Sequence, residues 1–134
     1  MKLLLRSTVD DYEKLNEAIV LFGRIHRYGN GFLSTLELTI KEAFLNAVKH
    51  GNHENESLPI TIFFNAGADG KLLEVTVRDS GLGFEPDDLP DPTTLGYLHK
   101  TSGRGVLLIR SYAEIVNVQT DSSGFSLTLR YTPF

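Results

Sequence analysis

Hydrophobic positions along this chain alternate between the two-residue spacing of strands and the three-to-four-residue spacing of helices. Leu3 to Arg6 reads as a short first strand. Ser7 or Thr8 then stands where a helix cap belongs, with Asp10 and Asp11 placed to favour the positive end of the helix dipole. Leu15, Ala18, Ile19, Phe22 and Ile25 recur at helical spacing and predict an amphipathic helix to about Arg27. Tyr28-Gly-Asn-Gly31 stops it, since glycine takes up left-handed conformations cheaply. Ser34-Thr-Leu-Glu37 has the form of a capping box, in which hydroxyl and carboxylate each satisfy an orphan backbone N–H. A second helix is therefore expected from Ser34 to about His50, with Leu36, Ile40, Ala43 and Ala47 turned inward. Gly51 to Asn55 is the polar loop that closes it.

The period then changes. Ile60 to Phe64 and Leu73 to Val77 alternate, and Asn65-Ala-Gly-Ala-Asp-Gly70 is the hairpin loop between them. Residues 84–102 hold three prolines and four acidic residues without a clean period, which suits either a mobile lid or an irregular crossover. Helical spacing returns from Gly105 to Ala113, and two further strands follow, Ile115 to Thr120 and Phe125 to Tyr131, joined by Asp121-Ser-Ser-Gly124. No internal repeat or linker is visible. Helices grouped against a largely antiparallel sheet make an α+β fold, with residues 1–134 as a single domain.

Composition narrows the function. At 134 residues the chain suits one domain, and its 41% hydrophobic and 22% charged residues are ordinary for a globular protein. The net charge of −4, from 17 acidic and 13 basic side chains, argues against a nucleic-acid partner, which needs a clustered cationic face. The absence of cysteine excludes disulfides and thiolate metal sites. Met1-Lys-Leu-Leu-Leu5 resembles a signal peptide for five residues only, interrupted by Arg6, Asp10 and Asp11. No apolar run approaches a membrane span. The expected location is cytoplasmic.

Three short segments carry candidate chemistry. In the second helix Glu42, Asn46 and His50 fall at i, i+4 and i+8 on one stripe, with Lys49 beside it. Asn is a poor interior helix residue, so its presence asks for a reason. Its oxygen is a neutral hard ligand suited to Mg²⁺, which takes few protein ligands plus phosphate oxygens and water. Glu42, one turn away, stands where a general base for a hydroxyl or water would. The alternative is a solvated helix face whose charges suit the dipole.

Asp79-Ser-Gly81-Leu-Gly83-Phe84 follows a strand. A carboxylate only accepts hydrogen bonds, so Asp79 would favour adenine, with its exocyclic amine, over guanine. Gly81 would let the chain approach the base, and Gly83 would let a lid swing. A plain glycine turn remains the alternative. A calcium loop lacks its further oxygen ligands, and a dinucleotide fingerprint meets Pro86 at its third glycine. Ser102-Gly103-Arg104-Gly105 opens a helix, a phosphate-type signal because free N–H groups point out of the N-terminus. Arg104 adds a cation within reach of a γ-phosphate or a partner. There is no Walker A sequence.

In this order, Glu-x-x-x-Asn-Ala-x-x-His-Gly, Asp-x-Gly-x-Gly-Phe and Gly-x-Gly before an apolar helix resemble the GHKL ATPase/kinase superfamily, with its Bergerat ATP-binding fold. Within it the chain looks like the stand-alone serine/threonine-kinase anti-sigma factors, which carry a histidine kinase-like ATPase domain, and the match covers nearly the whole chain. The resemblance implies a two-layer α/β sandwich: a mixed, mainly antiparallel sheet with helices on one face and a lid over about residues 85–102. It implies ATP and Mg²⁺ as cofactors, with Asn46 as the Mg²⁺ ligand and Glu42 as the catalytic base. Asp79 would bind the adenine amine in a pocket shaped by Gly81 and Gly83. Gly103 and Gly105 would lie along the phosphates, and Lys49 and His50 at the cleft edge.

Proteins of this kind bind a sigma factor in one state and phosphorylate a STAS-domain anti-anti-sigma partner in another, commonly as homodimers. The family's Gly-Thr near the last strand is here Gly124-Phe125-Ser126, so that polar contact is either lost or moved to Ser126. Two other readings compete: an ATP-binding interaction module without phosphoryl transfer, and the ATP-binding half of a larger machine. The second is disfavoured because these 134 residues hold no phosphoacceptor helices and no second domain.

Overall fold

A computed structural model describes residues 1–80 and 104–134. Strand β1 (Lys2–Arg6) leads through a 3-10 turn (Val9–Asp11) into α1 (Tyr12–Ile25) and α2 (Asn30–Asn46), which continues as a π-helical segment (Ala47–Gly51). Then come β2 (Pro59–Ala66), β3 (Leu73–Asp79), α3 (Arg104–Tyr112), β4 (Glu114–Asp121) and β5 (Gly124–Tyr131). The strands form one sheet in the order β1-β2-β3-β5-β4, and each of the described pairings is antiparallel. The expected lid over residues 85–102 lies outside the described residues.

Alternation in the strands divides the sheet into an apolar face and a polar one. Leu5, Ile60, Ile62, Phe64, Leu73, Val75, Val77, Leu127, Leu129 and Tyr131 are all buried on the face that meets the helices. Leu15, Ile19 and Phe22 of α1 and Phe32, Leu36, Ile40, Ala43 and Phe44 of α2 complete that core. The opposite face carries a Thr76–Thr128 hydroxyl pair at 2.9 Å and an Arg130–Glu74 ion pair at 2.9 Å. The result is the α+β layout with helices on one side of the sheet. Among the described residues no helix is long and apolar enough to cross a membrane.

The core has an aromatic end. Phe22 meets Phe64 with ring centroids 5.2 Å apart, Tyr28 meets Phe32 edge-on at 4.9 Å, and Phe32 meets Tyr131 at 6.0 Å. Such pairs add roughly 0.5–1.5 kcal/mol beyond their buried area. The Tyr131 hydroxyl is 2.6 Å from Thr39 Oγ1, which also donates to the Thr35 carbonyl. Burial pushes the Tyr131 phenol well above its ordinary range, so it stays neutral.

Two details differ from the expectations above. Helix α2 starts at Asn30, with extended Gly29 as its N-cap, so Ser34 and Glu37 lie inside the helix and form no capping box. Phe32, 1% exposed, explains the earlier start: extending the helix by one turn seats that ring among Tyr28, Tyr131 and Phe134. Ile25, expected inward, is 64% exposed because α1 ends there and Arg27 turns the chain with φ 57°.

Asp11, in the first acidic cluster, does more than favour a dipole. It accepts hydrogen bonds from the Arg6 backbone N–H at 2.8 Å and from Arg6 Nη2 at 2.9 Å, tying the end of β1 to the start of α1. Burial works against its charge, but the hydrogen bonds from Arg6 outweigh this and hold the carboxyl below its ordinary value of 3.8. A folded value below the unfolded one means stability that is full above the ordinary value and is lost as pH falls through the folded one. Asp11→Asn should therefore lower the urea midpoint at pH 7 and shrink the difference between midpoints at pH 7 and pH 3. An undiminished difference would show that other groups carry the acid sensitivity.

Candidate functional site

The site is built where the C-terminal end of α2 meets the end of β3. Leu73, Val75 and Val77 point toward the helices, and strict alternation makes Asp79 the next residue on that face. The apolar series thus ends in a carboxylate only 2% exposed. Gly51, the last residue of the π-helical segment, seats it: a Cβ built on Gly51 would overlap the Asp79 carboxylate and stand 3.0 Å from Asp79 Cβ. Gly124 grips the same residue from the other side. Its φ is 142°, and a Cβ there would overlap the Asp79 carbonyl oxygen and lie 3.2 Å from Ser80 Cα. Two glycines therefore hold one aspartate, a role the motif spacing alone did not signal.

A carboxylate only accepts hydrogen bonds, so a ligand group that brings an N–H to this place is favoured and one that brings a carbonyl is disfavoured.

Asn46 is the last α-helical residue of α2, and Glu42 lies one turn before it; both are half-buried. From Glu42 to Gly51 the helix rises on the order of 12 Å, enough to set the two ends of an extended ligand against different residues. His50 lies beyond the α-helical winding, in the i→i+5 segment Ala47–Gly51, where the Asn52 N–H donates to the Ala47 carbonyl at 2.8 Å. It is half-buried, and Lys49 is exposed.

Helix α3 begins at Arg104 with Gly105 as its second residue, as the glycine pair suggested. Gly81, Gly83 and Gly103 lie outside the described residues. Ser126 does not join the site. It pairs in register with Arg78 on the opposite face of the sheet, where its Oγ accepts from Arg78 Nη1 at 2.7 Å. Phe125, one residue earlier, is on the Asp79 face and packs partly buried against the core. The moved contact is thus corrected: the hydroxyl points away from Asp79.

One residue went unnoticed in the sequence. Asn52, read as part of a polar loop, is 1% exposed, and its Oδ1 accepts from the backbone N–H of Ser80 at 2.9 Å. A buried amide that pairs with residues distant in sequence leaves no periodic trace.

A five-stranded antiparallel sheet, helices on one face, and a carboxylate at the end of a central strand against a helix terminus define the GHKL class of ATPase fold. A family model described as the histidine kinase-like ATPase domain matches residues 5–131. The chain belongs to that family. Among solved structures it is similar to the histidine kinase domain of the blue-light activated histidine kinase from Erythrobacter litoralis EL346. There the TM-score is 0.57 and the identity 20%, over 93% of this chain and 60% of that one. A second structure of that Erythrobacter litoralis EL346 kinase gives a TM-score of 0.64 at 19% identity, over 90% of this chain and 40% of that one. At such identity the likeness speaks for the fold. The chain spans three-fifths or less of those solved chains. No curated protein gives a significant match.

The donor set suits magnesium in one particular way. Among the described residues no cluster of three or more histidine or carboxylate groups is placed to hold a metal. A single amide oxygen at Asn46, completed by phosphate oxygens and water, is a mode magnesium accepts.

The packing of Gly51 gives a direct test. Gly51→Ala should cost about 1–3 kcal/mol, the usual penalty for inserting a methyl into filled space, read as a lower urea midpoint at unchanged slope. A wild-type midpoint would mean that the helix end and the strand end are free to separate.

Proposed function

We propose that this protein is an ATP-dependent serine/threonine kinase that acts as an anti-sigma regulatory factor and phosphorylates a STAS-domain anti-anti-sigma partner. The observation that carries the transferase part is the helical pair Glu42 and Asn46, one turn apart on the helix whose far end seats Asp79. Membership of the histidine kinase-like ATPase family supports ATP as the donor. The anti-sigma part rests on the resemblance of the three motifs, and with it the sigma factor, the homodimer and the cytoplasmic setting.

On this reading the base end of ATP lies at Asp79, whose carboxylate accepts from the adenine amine. The phosphates extend toward Asn46 and the start of α3. Magnesium, when bound, would neutralise charge on the phosphate oxygens, and Asn46 would supply one neutral oxygen to it. Glu42 takes the proton of the partner's serine or threonine hydroxyl as that oxygen bonds to the γ-phosphorus and ADP leaves with the bridging oxygen's electrons. Positioning and charge stabilisation supply most of such a rate, and the base adds about 10²–10⁴-fold.

Titration calorimetry and a labelled-phosphate assay test this reading. The wild type should bind Mg-ATP in preference to Mg-GTP and label a STAS protein on serine or threonine. Asn46→Ala should abolish the dependence of ATP affinity on magnesium. Glu42→Gln should lower transfer by about 10²–10⁴-fold with ATP affinity kept within a few-fold. Binding of ATP and capture of the partner without any label would favour an interaction module instead. No binding of any adenine nucleotide would remove the whole assignment.

A further inference from the structure

We propose that Asn52 is a positioning residue for purine selection, fixing the backbone that carries Asp79 to the end of α2. The proposal rests on the reading of Asp79 as the adenine acceptor given above. Asn52 Nδ2 lies 2.5 Å from Ser7 Oγ, 3.1 Å from the Leu58 carbonyl and 3.1 Å from the Pro59 carbonyl, while Oδ1 accepts from Ser80 N–H at 2.9 Å. Its partners fix the orientation of the amide, because carbonyls only accept and a backbone N–H only donates. Ser7 Oγ in turn donates to the Leu58 carbonyl. One side chain thus joins the end of β1, the start of β2 and the residue just beyond β3. A side-chain amide offers two N–H donors beside an acceptor oxygen without bringing charge.

The surrounding backbone is irregular on both sides. Immediately before Asn52 the helix winds as a π-helix, and immediately after it His53 and Glu54 hold φ values of 51° and 60°. Left-handed backbone at non-glycine residues is unfavourable, and it persists only where surrounding structure enforces it. The four polar contacts of Asn52 are such an enforcement.

The geometry also says what is being held. Gly51 and Asn52 are neighbours, as are Asp79 and Ser80. Gly51 leaves room for the carboxylate while Asn52 bonds the next amide along, so the two adjacent pairs lock in register. The position of Asp79 relative to Asn46 on the same helix is set by this lock. A shift of the carboxylate along the base edge weakens the contact that separates adenine from guanine, while phosphate contacts at the other end are left in place.

The test compares Mg-ATP and Mg-GTP affinities by calorimetry for wild type, Asn52→Ala and Ser7→Ala, with thermal midpoints for each. Ser7→Ala removes a partner of the same amide but leaves the bond to Ser80. Both variants should melt at lower temperature. Asn52→Ala should also lose about tenfold of the ATP-over-GTP preference, the worth of a well-placed hydrogen bond, whereas Ser7→Ala should keep it within about twofold. In an Asp79→Asn background, Asn52→Ala should remove no further preference. If Asn52→Ala lowers the midpoint but keeps the wild-type preference, its role is structural and the proposal is overturned while the reading of Asp79 stands. A wild type without preference overturns both. Should Asn52→Ala not fold, Asn52→Gln, which displaces the amide by one methylene, carries the same comparison. Amide hydrogen exchange of the wild type adds an independent check: Ser80 N–H should be protected without nucleotide, and exchange at the open-chain rate there would overturn the lock.

Discussion

The Asp79 carboxylate rests on Gly51 with no space for a side chain between them, and on its backbone side Gly124 approaches just as closely. The rest of the fold holds it there. It does so through the antiparallel register of β2, β3 and β5, which pairs Ile60 with Asp79 and Arg78 with Ser126 and fixes how far β3 reaches. The aromatic cluster of Phe22, Phe64, Tyr28, Phe32 and Tyr131 sits at the other end of the same layer. Aromatic packing is concentrated at one end of the sandwich, and the buried carboxylate lies at the other.

Helix α2 connects these two ends. Its first turns bury Phe32 and Leu36, its middle buries Ile40, Ala43 and Phe44, and it ends as an α-helix at Asn46. The change to π winding at Ala47 has a structural consequence. Up to Asn46 the helix keeps the phase that puts Glu42 and Asn46 one above the other. Beyond it, the wider turn directs Gly51 and Asn52 toward the end of β3. The change of winding thus falls between the Glu42–Asn46 pair and the contact of Gly51 with Asp79, which fits the tendency of π-bulges to occur at functional sites.

Much of this could be read in the sequence, because the features involved are local and periodic. The two-residue alternation of Leu73, Val75 and Val77 marks the strand, and one further step shows that Asp79 faces the helices. The i, i+4 spacing of Glu42 and Asn46 similarly needs nothing beyond helical geometry. The errors came where distant residues overrode local preference. Ser34 and Glu37 make a sound capping box, yet packing of Phe32 draws the helix start back to Asn30. Ile25 continues the apolar period of α1, but the helix ends before anything covers it. Asn52 could not be found from spacing, since its partners Ser7, Leu58 and Ser80 come from three separate parts of the chain.

The segment Gly124-Phe125-Ser126 shows how one register decides a chemical question. A hydroxyl two residues into the hairpin strand looks available to replace the family's threonine. Register with Arg78 turns Ser126 to the opposite face, where the guanidinium holds it, and places Phe125 level with Asp79 on the inner face. Where the family's threonine would supply a hydroxyl, this chain therefore has an apolar ring packed against the core. A ring there excludes water and adds contact area, and it brings no acceptor or donor. On the proposed reading, discrimination between purines then falls on Asp79 with less support than a threonine would give. A single hydrogen-bonding group selects well only if it is held still, and the close packing of Gly51 and Gly124 around Asp79 is suited to that demand.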